Sequence, residues 1–329
     1  MTAGRLLGWL LAAALAGAGW WAVAHAVRRE AGRARRGEPQ GPWRRALARL
    51  DGERAALAAL GALFFVGALT VLAPLVSPYD PARQLDIVNA AGLGPSAAHP
   101  FGTDQFSRDV LSRVLHGGRV SLSVALLSVL VALTVGTAYG AAAGWAGGRV
   151  DGALMRVVDA ALAIPRILLL IVVFSLWRGA GVGALVLVLG LTGWFGMARV
   201  VRGEVRALRT RDFVTAATAL GAPGARVLVR HILPNVASQI AVAATLAVGN
   251  VIVLEAGLSY LGIGVQPPQP SWGNIIFEGR EVFRSLWWIS AFPGLAIVGT
   301  VMALNAAGDG LRDALDPRQG RGRIRCIPC

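Results

Sequence analysis

Residues 211–235, RDFVTAATALGAPGARVLVRHILPN, form a polar, arginine-bearing island inside a chain that otherwise runs in long apolar stretches. Two short helix patterns meet there at Gly221. Asp212 stands where an N-cap belongs. Phe213, Ala216, Ala217 and Leu220 recur at helical spacing, and Gly221 sits where a helix end needs a residue tolerant of positive φ. The expected result is a two-turn helix with a narrow apolar face, its centre two alanines small enough to let another protein's backbone come close. Pro223 opens a second helix in a first turn, where its missing N–H loses no bond, and Pro234 closes it. A helix, hinge, helix element of this kind lies on a membrane surface and touches something outside the membrane.

The order Ala216-Ala217, then Gly221, then Leu233-Pro234 resembles the EAA signature of permease subunits of bacterial binding-protein-dependent ABC importers. In that family the loop carries the coupling helix that docks into a groove on the cytoplasmic ATPase. Thr215 stands where the family has Glu and His231 where it has Ile, while the ending from His231 through Leu233-Pro234-Asn235 resembles the peptide-importer branch. Without the resemblance, the same residues read as an amphipathic interfacial loop between two spans.

The surrounding composition agrees with a membrane setting. Of 329 residues 55% are hydrophobic and only 15% charged, and the mean hydropathy is +0.59, more apolar surface than a water-soluble domain hides. The expected fold is an all-α polytopic bundle with about six core spans plus one extra N-terminal span. The net charge of +14 comes entirely from arginine, concentrated between apolar runs, and is read as membrane topology rather than nucleic-acid binding. Cys326 and Cys329 close the chain, so no disulfide framework is expected, and the pair is an incidental feature of an Arg/Gly tail rather than a metal site.

The chain divides into an extra span at 1–27, a basic cytoplasmic linker at 28–54, a first core span with its external loop at 55–117, the main transmembrane domain at 118–308 and a cytoplasmic tail at 309–329. The first apolar run is read as an uncleaved span rather than a signal peptide, because Trp20-Trp21 and His25 stand where small residues mark a cleavage site. Nine arginines against four acids place 28–54 inside. The loop from 78 to 119 has balanced charge and is placed outside. Within it, HPFGTDQFSRD at 99–109 resembles a segment of peptide and nickel importer permeases that faces the binding protein; Asp104, Arg108 and Asp109 are therefore either substrate contacts or internal Asp/Arg pairs.

A span follows at 120–143, rich in Gly, Ala, Ser and Thr and suited to close helix packing. A short inside loop at 147–156 leads through Ile164-Pro165 to a hairpin of spans, with Arg166 expected to snorkel. After the island, a span at 236–257 carries Glu255 towards its outer end, where it binds a peptide amino group or pairs with an arginine. The stretch from Leu258 to Asn274, with Gln266 and Trp272, resembles the LSFLGLGVQPPxPSWG segment of the peptide-importer branch. Gly308 to Arg318 resembles its GDxLRDxLDPR closing sequence.

The resemblance implies a bacterial inner-membrane, multi-pass permease for dipeptides, oligopeptides, nickel or a similar solute. Its implied partners are a homologous permease, two cytoplasmic ABC ATPases, an extracytoplasmic substrate-binding protein and membrane lipid. ATP and magnesium belong to the ATPase, and no cofactor is expected in this chain, which has no G-x-x-x-x-G-K-[ST] run. An ion-coupled secondary transporter is the alternative, with Glu255 as its coupling group. A purely structural membrane scaffold would leave the ordered motifs unexplained.

Overall fold

The computed structural model describes residues 3–36, 42–177, 179 and 181–315, and among these it is helical with no strand. The tail with Cys326 and Cys329, and Arg178 in the hairpin turn, lie outside the described residues. In chain order the helices are α1 (Ala3–Arg35), α2 (Pro42–Leu50), α3 (Arg54–Val71), α4 (Ala73–Val76), α5 (Val110–Ala146), α6 (Gly148–Ala163), α7 (Arg166–Leu176), α8 (Val182–Arg209), α9 (Asp212–Ala219), α10 (Gly224–Val227), α11 (Leu233–Tyr260), α12 (Trp272–Gly279) and α13 (Trp288–Leu315). Among the described residues six helical runs are long and apolar enough to cross a bilayer, and the pair α6/α7, bent by 77° at Ile164-Pro165, makes up to seven.

The packing of α5 on α8 shows that the bent pair returns the chain across the membrane. Gly190 faces Val131, Gly136 faces Trp194 and Met197, Gly140 lies on Ala198, and Gly144 meets Arg202. Residue numbers rise together on both helices, so α5 and α8 run parallel. Two parallel spans joined in sequence need a crossing between them, and only α6 and α7 lie there. At ~1.5 Å per residue α7 alone reaches about 16 Å of the ~30 Å hydrocarbon layer, so α6 supplies the rest obliquely. The glycines at 136, 140 and 144 repeat every fourth residue and leave α5 a flat stripe where the α8 backbone sits.

Four expectations about boundaries change. The external loop ends at Asp109, not near 119, because the Asp109 carboxylate accepts a hydrogen bond from the Ser112 N–H at 2.8 Å and starts α5 ten residues early. Residues 148–156 are helix rather than loop, since Asp151 is held by Arg202 of α8 in a bidentate pair at 2.6 and 2.7 Å. The first helix runs on to Arg35, into the basic segment, and α2 occupies part of the linker. Pro234 closes nothing. The chain is helical from Gly224 to Tyr260 through a π turn at Leu228–Ile232, and Pro234 sits in the first turn of α11, where its missing N–H is tolerated.

The bundle has two ends. At one, the segments 77–109 and 261–287, with Trp177 and Gly179, converge with α12. At the other lie α2, the α6 N-terminus, α9, α10 and the C-terminal turns of α5, α8 and α13. The second end carries Arg49, Arg149, Arg202, Arg209, Arg226 and Arg230, which makes it cytoplasmic by the positive-inside rule.

Candidate functional site

The helix pair of the 211–235 island lies at the cytoplasmic end. Arg211, not Asp212, occupies the N-cap, and Asp212 is the first helical residue, where its charge faces the positive end of the helix dipole. The helix ends in a Schellman motif: the Gly221 N–H donates to the Thr218 carbonyl at 2.9 Å and the Ala222 N–H to the Ala217 carbonyl at 3.1 Å. Gly221 has φ +82°, the conformation its place in the sequence demanded.

The expected apolar face is split by the fold. Val214 is 3% exposed and packs with Val227, Ile232, Met197, Val201 and Val205, fastening α9 to α8 and α11. Ala217 and Leu233 lean on the same cluster. Phe213 at 42% and Leu220 at 89% exposure, with Ala216 between them, point away from the bundle, and Thr215 and Pro234 are also exposed. His231 is partly buried in the π turn, and its carbonyl accepts from Asn235 Nδ2 at 2.6 Å. Below α10, the Trp145 indole lies against Gly224, with the Arg209 guanidinium 5.6 Å from the ring centroid. The inward role of Val214 was missed in the sequence, although Val214 and Ala217 already stood three apart.

At the external end, Asp104, Arg108, Arg113 and Glu278 form one charge-balanced cluster. Asp104 is fully buried and accepts from Arg108 Nε at 2.6 Å, Arg113 Nη1 at 2.7 Å, and the Phe106 and Arg108 backbone N–H groups. Glu278 accepts from Arg113 at 2.7 Å and from Arg108. Asp109 is also fully buried, and besides capping α5 its other oxygen lies 2.9 Å from His99 Nδ1, which therefore carries the proton. Of the two readings of this segment, the geometry matches internal pairing. Nearby, the Asn89 side chain and the Val88 and Asn89 N–H groups hold the exposed Asp86 carboxyl below the ordinary carboxylate range.

Among the described residues Glu255 pairs with no arginine, and it reaches no open surface. It is completely buried, accepting from Ser121 Oγ at 2.9 Å and Ser259 Oγ at 2.7 Å. Ser121 in turn accepts the Trp272 N–H at 3.2 Å, and the Trp272 indole donates to the Val114 carbonyl at 2.9 Å, so the buried Trp272 fastens α12 to α5 next to the serine that holds Glu255 of α11. Gln266 alone of this group is exposed; its amide donates to the Gly262 and Gly264 carbonyls at 3.1 and 3.2 Å. Arg166 does not snorkel: it turns inward to α8, donating to the Leu189 carbonyl at 2.6 Å and Thr192 Oγ1 at 3.2 Å.

Among the described residues, a helical bundle with up to seven crossings, close-packed on glycine stripes and with a helix–turn–helix exposed at its arginine-rich end, is the architecture of a multi-pass membrane protein. Residues 136–321 match the family model of the binding-protein-dependent transport system inner membrane component, and residues 41–95 match that of the N-terminal TM domain of oligopeptide transport permease C. The chain belongs to this family of ABC importer permease subunits and is a bacterial inner-membrane protein. It is 38% identical over 306 residues to the dipeptide transport system permease protein DppC of Bacillus subtilis, covering 92% of this chain and 93% of that protein. It is 38% identical over 277 residues to the glutathione transport system permease protein GsiD of Escherichia coli, covering 84% and 91%. The α1 helix lies outside both family-model matches.

Proposed function

We propose that the chain is the pore-forming permease through which short peptides enter the cell, driven by ATP hydrolysis in separate cytoplasmic ATPases that dock on α9. The carrying observation is the outward face of that helix. Phe213 and Leu220 stay 42% and 89% exposed while Val214, Val227 and Ile232 weld the same element to α8 and α11. Force applied to the outer face therefore passes into two membrane-spanning helices through a close-packed cluster. Such a cluster is nearly incompressible and transmits displacement rather than absorbing it. The names of the relatives support peptides as cargo, one being a dipeptide and another a glutathione permease.

The working assembly has this chain, a homologous permease, two ABC ATPases holding ATP and magnesium, and an external binding protein that delivers cargo to the 77–109 and 261–287 side. Alternating ATPase closure rocks the bundle between outward and inward states. Purification of the tagged chain in mild detergent tests this reading. Co-recovery of a nucleotide-binding ATPase and a second permease, with ATP-dependent peptide uptake after reconstitution, is expected. Recovery of the chain alone, with uptake that follows an ion gradient, overturns it.

A further inference from the structure

Among the described residues, Arg166 differs from the other charged side chains in the bundle interior described above, which are answered by partners of opposite sign or by hydroxyls. Arg202 has Asp151, Arg113 has Asp104 and Glu278, and Glu255 has two serines. Arg166 has no carboxylate partner among the described residues; two of its five guanidinium N–H groups are used, on Leu189 and Thr192. Its side chain lines a cavity of about 370 Å³ between α5, α7, α8 and α11. That size lies within the ~300–1,000 Å³ usual for small-ligand sites.

The position and lining of this cavity favour a ligand. Its wall includes Ser128, midway along α5, and the middle turns of α8 and α11, so it lies deep in the bundle rather than at either end. Gly193 keeps the guanidinium unobstructed; a Cβ there would come within 3.1 Å of Arg166 Nη2. Across the cavity stands Asn250, whose exposed amide makes no hydrogen bond among the described residues and offers both a donor and an acceptor. The cavity opens where Gly196 and Asn250 are exposed. An unneutralised cation at this depth is expensive to keep and marks a solute path rather than a packing site.

We propose that this cavity is a transit site for the carboxylate of the cargo, held in a forked pair by Arg166 while Asn250 meets an adjacent amide. This rests on the reading of the chain as a peptide permease. A guanidinium matches a carboxylate with two parallel N–H···O bonds and gains nothing comparable from a neutral amide terminus. The site would thus discriminate between solutes after the binding protein has released them.

The test uses the complete importer in vesicles without its binding protein, so that delivery does not select the probe. Two photoreactive tripeptides are compared, one with a free C-terminal carboxylate and one with a C-terminal amide, and labelled residues are mapped by mass spectrometry. The expected result is labelling near Asn250 by the free acid at least about tenfold above the amide, lost in Arg166→Gln and only partly kept in Arg166→Lys, which keeps the charge but not the fork. Equal labelling by acid and amide overturns the proposal. So does an Arg166→Gln importer that labels like the parent. If the true partner is a carboxylate of the second permease subunit, Arg166→Gln weakens subunit assembly and neither probe labels the parent, which also overturns it. Acid-specific labelling in an importer that does not transport the tripeptide even when its binding protein is added back keeps the site and removes the peptide reading. Normal tripeptide uptake with Arg166-independent labelling does the reverse.

Discussion

Arg113, in the first turn of α5, and Glu278, in α12, are 165 residues apart in the chain, and their side chains meet at 2.7 Å. Between them lies Asp104, so the external loop, the start of α5 and the cap before α13 are held by one knot. Arg113→Ala leaves the fully buried Asp104 with one fewer positive partner. A loss of ~3–5 kcal/mol in stability is expected, read as a lower melting temperature of the purified complex in detergent. An unchanged melting curve would show that the cap is not held by this pair.

Ala216→Trp places an indole between Phe213 and Leu220 on the outward face of α9 without touching the Val214 cluster. The protein should insert and fold normally, while ATP-dependent uptake falls at least about tenfold through lost docking. Ala217 is the poorer probe, because it leans on the internal cluster and bulk there disturbs the fold itself. Undiminished uptake in the Ala216 variant would remove α9 from the docking surface.

The α5/α8 stripe gives a cleaner stability test. A side chain at Gly140 runs into the Ala198 carbonyl, whereas a methyl group at Gly203 on α8 would meet nothing within 4 Å. Gly140→Val should destabilise by ~1–3 kcal/mol or more, and Gly203→Ala should be close to neutral, compared by thermal unfolding in one detergent.

Glu255→Gln separates ATP-driven transport from ion coupling. The carboxylate touches serine hydroxyls, which either donate or accept, so the amide finds partners in the same place. Uptake within about twofold of the parent is expected, a difference of under ~0.5 kcal/mol. Loss of uptake with intact ATP hydrolysis would revive a coupling role for this group.

Topology is checked at Ser96, exposed at the tip of a turn in which its hydroxyl accepts the His99 N–H. With the two native cysteines replaced, Ser96→Cys should react with an impermeant thiol reagent in intact cells. Labelling only after lysis would invert the bundle.

Much of this protein was legible as sequence because a bilayer leaves few choices. Backbone groups without water must be satisfied within the segment, so long apolar runs become helices, and arginine density sets which ends stay inside. The helix break at Gly221 was likewise local, since a positive φ follows from the residue and its neighbours. Tertiary structure decided what depends on partners distant in the chain. It split the α9 stripe into an anchor at Val214 and an outer face at Phe213, Ala216 and Leu220, because one side meets α8 and α11. It drew α5 out to Asp109, assigned Glu255 to serines rather than arginine, and turned Arg166 into a cavity instead of towards the surface. Charge and periodicity name the groups that need partners; only packing in three dimensions says which partner is within hydrogen-bond reach.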